Sequence, residues 1–134
     1  IILGTERMYA HKMAGIRTYA FVSMGSALFV IVSIIIAKQY IGVINFDPLR
    51  MAANIIVGIG FLGAGVIIFK DAHLRGLTTA ASLWVAAGIG IASGFGLFTI
   101  AVVATIFTLF IFIGIWLIEK KIKKISGKWS DDGF

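Results

Sequence analysis

The chain has 134 residues, 60% of them hydrophobic and 13% charged, with a formal net charge of +6. Soluble domains are about a quarter charged, and so short a chain has too little polar surface to enclose such a sequence in water; a mean hydropathy of +1.04 therefore excludes a soluble fold. There is no cysteine, which excludes disulfides and thiol metal sites.

The opening "IILGTERM" reads as the last turn of an apolar helix, and the expectation is a span lying upstream of it. It is not read as a signal peptide, because its charges follow the apolar residues and no cleavage site is present. Residues 18–37, 51–69, 77–98 and 99–118 then contain no Asp, Glu, Lys, Arg or His. Each run is near the ~20 residues needed to cross a ~30 Å hydrocarbon core. These runs predict spans a, b, c and d. The fold class expected is all-α, a polytopic transmembrane helical bundle of four complete spans plus the end of a preceding helix. Residues 1–118 form the transmembrane domain, and 119–134 a basic cytoplasmic tail.

The connecting segments give the topology. One side collects Arg7, Lys12, Arg17, Lys70, Arg75, Lys120, Lys121, Lys123, Lys124 and Lys128; the other collects only Lys38 and Arg50. By the positive-inside rule the N-terminal segment, the b–c loop and the C-terminus are cytoplasmic. Asp47-Pro48 reads as an N-cap followed by an N1 proline, opening span b. The "KKIKK" after span d suits a helix C-terminus and an anionic lipid surface, and is read as a topology anchor.

Small residues recur inside the spans. In lipid, apolar burial does not drive helix association, so close packing through Gly, Ala, Ser and Thr does. Span c places Ala80, Ala87, Gly90 and Gly94 roughly on one face, with Gly88 nearby and Thr79, Ala86 and Ser93 adjoining. Span b offers Gly58 and Gly65 on one face with Asn54, and Gly60 with Ala64 on another, within "GIGFLGAG", which also holds Gly63. Span a carries Ser23, Ser26, Ser33 and Ala37 at helical spacing, while span d is bulky and aromatic. The expectation is a close-packed centre of b and c, with a leaning on it and d outside. "GIGFLG" also fits a dinucleotide fingerprint, but that motif must join a strand to a helix, and this one lies mid-span.

Charges and amides near a membrane are functional candidates. The cluster singled out is Glu6, Arg7, Arg17 and Arg75, with Thr18, Thr78 and Thr79. Arg17 and Arg75 begin helices, where the dipole disfavours a cation, so Glu6 is expected to pair with one of them. The plain reading is a structural ion pair; the other is ligand or signal sensing. Asn54 is the lone amide in span b, for an interhelical hydrogen bond or else an ion or proton contact, and Ser26 is a second intramembrane polar position. His11 and His73 fall in loops and read as solvated, with pH sensing as the alternative. No catalytic triad, metal spacing or phosphate loop is present, so neither catalysis nor a cofactor is expected.

Three blocks, "AGIRTYAFVSMGSALF", "DPLRMAANIIVGIGFLGAGVI" and "LRGLTTAASLWVAAGIGIASGFG", resemble the signature blocks of the MgtC/SapB family of bacterial inner-membrane proteins, and "GTER" resembles the end of that family's first transmembrane helix. The resemblance covers residues 4–98 in order and spacing; span d and the tail match only in character. It implies a transmembrane domain of about five helices, linked to magnesium limitation, acid tolerance and virulence, in proteins generally not regarded as magnesium transporters. One member is held to restrain the F-type ATP synthase. The family's recurrent polar positions correspond to Glu6, Arg7, Arg17, Thr18, Ser26, Asp47, Arg50, Arg75, Thr78 and Thr79. Position 54 is more often Gln in that pattern, and the cysteines of some members are absent.

Three functions compete at this stage. One is a non-enzymatic membrane regulator acting by helix–helix contact, with itself (a dimer is favoured) or with a larger complex such as the ATP synthase. The second is a Mg²⁺ or H⁺ pathway, which would need oxygen ligands that the four spans hardly offer. The third is a lipid or hydrophobic-ligand binder using the arginines for an anionic headgroup. Membrane lipids are partners in each, and nucleic acid in none.

Overall fold

The computed structural model describes residues 1–40, 47–70 and 73–126. Five helices and one small hairpin follow in order: α1 (Ile2–Tyr9), α2 (Ile16–Gln39), α3 (Pro48–Val66), β1 (Ile68–Lys70), β2 (His73–Arg75), α4 (Leu77–Gly94) and α5 (Phe98–Ser126). Helices α2 to α5 are each long and apolar enough to cross a membrane. This is a membrane protein with an all-α body.

Local chemistry sets the helix ends. The Asp47 carboxylate accepts from the Leu49 amide at 2.9 Å, and Pro48 fills the first turn, where its missing N–H is not needed. Between α4 and α5 the chain reverses in a Schellman motif: the Leu97 amide bonds to the Ala92 carbonyl at 2.8 Å and the Gly96 amide to the Ser93 carbonyl at 3.0 Å. Gly96 carries φ +77, the left-handed conformation that the motif requires and that a Cβ disfavours.

The sequence predicts a loop over 70–76 and a span b reaching residue 69. Instead α3 stops at Val66 and the chain forms an antiparallel hairpin, with Ile68 opposite Arg75, Phe69 opposite Leu74 and Lys70 opposite His73. A continuous apolar run cannot tell a helix from a strand by periodicity. Helix α5 continues through Ser126, so "KKIKK" lies on the helix and not after it.

Helix α4 is the hub. It packs against α2 most extensively, then α3, then α5, while α1 rests mainly on the start of α2 and touches α5. Tyr19 meets Ser82, Gly90 lies against Ser23 and Ser26, and Gly94 against Ala27 and Val30. These matched positions show that α2 and α4 run parallel, with α3 antiparallel between them in sequence. The expected b–c centre is therefore corrected: the tightest pair is a with c. A Cβ built on Gly90 would stand 2.2 Å from the Ser23 carbonyl oxygen, so the two backbones are in contact there and only glycine fits. The buried core joins Leu3, Tyr19, Val22, Ile59, Leu83, Ala86, Ala87 and Phe112. Large side chains such as Phe21, Phe61 and Phe110 point outward, as a lipid-facing surface requires.

Candidate functional site

Two polar centres emerge. The first is built by α1. A Cβ on Gly4 would lie 2.6 Å from the Ile16 Cα, so this glycine lets α1 lie directly on the start of α2. That placement buries Arg7, which is only 4% exposed. The Arg7 Nε donates to the Glu6 carboxylate, and its guanidinium lies over the Phe112 ring, 3.5 Å from the centroid. Guanidinium suits this position because it is weakly hydrated, planar and able to stack while its edge hydrogen-bonds. Arg7 thus ties α1 to α5.

The expected pairing of Glu6 with Arg17 or Arg75 is corrected. Glu6 takes its sequence neighbour, while Arg17 and Thr18 are exposed on the first turn of α2 and Arg75 is exposed on β2. Thr78 is exposed and Thr79 buried in the first turn of α4. The predicted cluster therefore divides: Glu6 and Arg7 form one unit, Thr79 belongs to another, and Arg17, Thr18, Arg75 and Thr78 face outward.

Beside Glu6 lies an open cavity of about 890 Å³ between α1 and α5, its walls including Thr5, Tyr9, His11, Phe112 and Trp116. Trp116 in turn carries the Lys120 ammonium 5.1 Å from its ring centroid. Among the described residues, no three His, Asp or Glu side chains gather as a metal site would require.

The second centre lies inside the α2–α4 interface. Tyr19 is 1% exposed, and its hydroxyl is hydrogen-bonded to Ser82. Ser82 Oγ donates to the Thr79 carbonyl at 2.9 Å, so its single proton is used and Tyr19 must donate to it. Three more buried hydroxyls bond within their own helix: Ser26 to the Val22 carbonyl at 2.8 Å, Ser33 to the Val30 carbonyl at 2.7 Å and Thr108 to the Ala104 carbonyl at 2.7 Å.

Asn54 is exposed on α3, with no hydrogen-bond partner among the described residues. With Ser26, Gly25 and Gly58 it lines a groove of about 460 Å³ between α2 and α3. Of the glycines singled out for packing, Gly90 and Gly94 press on α2, and Gly63 faces Ala80 of α4, its built Cβ 3.6 Å away. Gly58, Gly60, Gly65 and Gly88 have nothing within 4 Å of a built Cβ.

Sequence reasoning did not single out Tyr19, Ser82 or Phe112. A tyrosine inside an apolar span was the available signal, since its hydroxyl needs a partner once buried. Phe112 carried none, being one of many aromatics in span d.

The family model described as "MgtC family" matches residues 1–121. A protein named "Protein MgtC" from Brucella abortus (strain 2308) is 43% identical over 106 residues, 79% of this chain and 42% of that protein. Its namesake from Salmonella typhimurium (strain LT2) is 45% identical over 108 residues, covering 81% and 44% respectively. The chain thus spans less than half the length of these curated relatives. No solved structure matches the chain.

Proposed function

The chain belongs to the MgtC family, and on that premise we propose that it is a non-enzymatic regulator in a bacterial inner membrane, serving adaptation to magnesium limitation, acid stress or virulence. It acts by helix–helix contact, with a second copy of itself or with a larger complex such as the F-type ATP synthase. One observation carries this reading. Among the described residues, the buried hydroxyls of Tyr19, Ser26, Ser33 and Ser82 are turned onto their own helix backbones or onto each other, so these four do not line an ion route as free oxygens. A Mg²⁺ route needs such oxygens, because the ion gives up its waters only for near-octahedral ligands. The outward faces are apolar or small, as contact surfaces in lipid are.

The test is uptake of Mg²⁺ and H⁺ into liposomes holding the purified protein. No flux above empty vesicles is expected. Flux that Glu6→Gln abolishes would make the protein a transporter and overturn the reading. A second reading, lipid or hydrophobic-ligand binding, is favoured by the cavity between α1 and α5, whose walls are mostly apolar. Native mass spectrometry showing a bound lipid that Trp116→Ala releases would support it.

A further inference from the structure

The hairpin between α3 and α4 has two unlike faces. Its register sets Phe69 opposite Leu74, and because side chains alternate along a strand these two share one face, with Ile68, His73 and Arg75 on the other. The first face is bare: Phe69 is 72% exposed and Leu74 50%. The second carries the exposed Arg75. The hairpin is not a free loop. At its base Gly76 has φ +89, and a Cβ built there would stand 2.0 Å from the Val66 carbonyl oxygen. The end of the hairpin is thus pressed onto the end of α3, which holds both faces in a set direction.

Chain connectivity decides what those faces meet. Ile68 lies two positions after the last residue of α3, and Arg75 two before the first of α4. The two helices have 19 and 18 residues, so each is about 27–28 Å long at 1.5 Å per residue, close to the ~30 Å of a hydrocarbon core. With both helices spanning, their joined ends, and the hairpin tied to them, fall at the boundary between acyl chains and headgroups. We propose that the hairpin is a lipid-binding surface: Phe69 and Leu74 rest among the outermost acyl carbons, and Arg75 takes the phosphate of an acidic phospholipid. An element apolar on one face and basic on the other lies in the plane of that boundary. Guanidinium matches a phosphate in charge and in the geometry of its donors, and the anionic headgroup layer attracts a cation placed beside a span. This surface is distinct from the cavity between α1 and α5, and it stands whether or not the protein moves ions.

The test uses the full chain in phosphatidylcholine vesicles. The chain has no cysteine, so Phe69→Cys, Leu74→Cys and His73→Cys each take a single nitrobenzoxadiazole label. The labels replacing Phe69 and Leu74 are expected to be quenched by phospholipid with a nitroxide on its acyl chain and shielded from acrylamide in the water. The same label replacing His73 is expected to show the reverse. A small share of nitroxide-bearing phosphatidylglycerol should quench the Phe69→Cys label more than an equal share of nitroxide-bearing phosphatidylcholine. Arg75→Gln should cut that preference about fivefold, the effect of one cation beside a span. Thermal unfolding like that of the unaltered protein checks each variant, and either apolar position suffices for the comparison with His73→Cys. Acrylamide reaching the apolar positions as readily as His73→Cys overturns the proposal, because the face then stands in water. So does access by neither quencher, because protein then covers the face. Equal quenching by the two nitroxide lipids, or a preference indifferent to Arg75→Gln, overturns the assignment of Arg75 to an acidic headgroup.

Discussion

At the scale of a residue, Gly90 and Gly88 make a matched pair on one helix. Both are helix-interior glycines in an apolar run, yet a Cβ at Gly90 would collide with the Ser23 carbonyl and Ser26, while one at Gly88 would meet nothing. Gly90→Ala is expected to cost about 1–3 kcal/mol, the usual penalty for overpacking a close contact. Gly88→Ala should be neutral or slightly stabilising, because alanine is the better helix former. Thermal unfolding in detergent distinguishes them; equal effects would mean that the α2–α4 contact is looser than described. In sequence Gly90 falls on the face of Ala80, Ala87 and Gly94 and Gly88 beside it, yet nothing there says which face meets a neighbour. Both belong to the same small-residue run, and only the position of α2 separates them.

At the scale of the element, α1 is eight residues long and could not hold a helix alone in water. Its place is set by Gly4 on α2 and by Arg7 over Phe112 of α5. Arg7→Leu removes both the stack and the partner of Glu6. Breaking a fully buried pair costs about 3–5 kcal/mol, and Glu6 keeps some exposure, so a loss of about 2 kcal/mol is expected. Arg17→Leu, at an exposed position in the first turn of α2, should change stability by less than about 0.5 kcal/mol. Proteolysis near α1 supplies a second readout, with Arg7→Leu cleaved faster. If both variants unfold alike, the Arg7 clamp is not what holds α1.

At the scale of the whole molecule, α2 and α4 run parallel, α3 and α5 antiparallel to them, so successive helix ends alternate between two sides. The basic residues at those ends predict which side is which. A reporter fused after residue 126 is expected to be cytoplasmic, and one inserted at 41–46 external. Reporters on the same side would contradict the arrangement in which α3, α4 and α5 each cross the membrane. The aromatic outer surface of α5, with Phe107 and Phe110 exposed, is consistent with a helix whose far face meets lipid while its near face joins α4 and Arg7.

The sequence by itself determined the solvent, the spans and the family. Uncharged runs of membrane length admit one environment, Asp47-Pro48 marks a helix start from local chemistry, and the three motif blocks are local patterns. The end of α3 was not legible, because "VIIF" is equally apolar as helix or strand; in the fold, Gly76 at φ +89 lies against the Val66 carbonyl and leads the chain from the hairpin into α4. The partners were not legible either. In water, an apolar stripe announces the buried face of a helix; in lipid both faces are apolar, so hydropathy does not say which one meets protein. Small residues mark several faces of α3 and α4, and tertiary packing alone chose Gly63, Gly90 and Gly94 and left Gly58 and Gly65 open. The same packing brought α1 against α5, so that Arg7 found Phe112 and Glu6 closed on its neighbour, leaving Arg17 and Arg75 exposed.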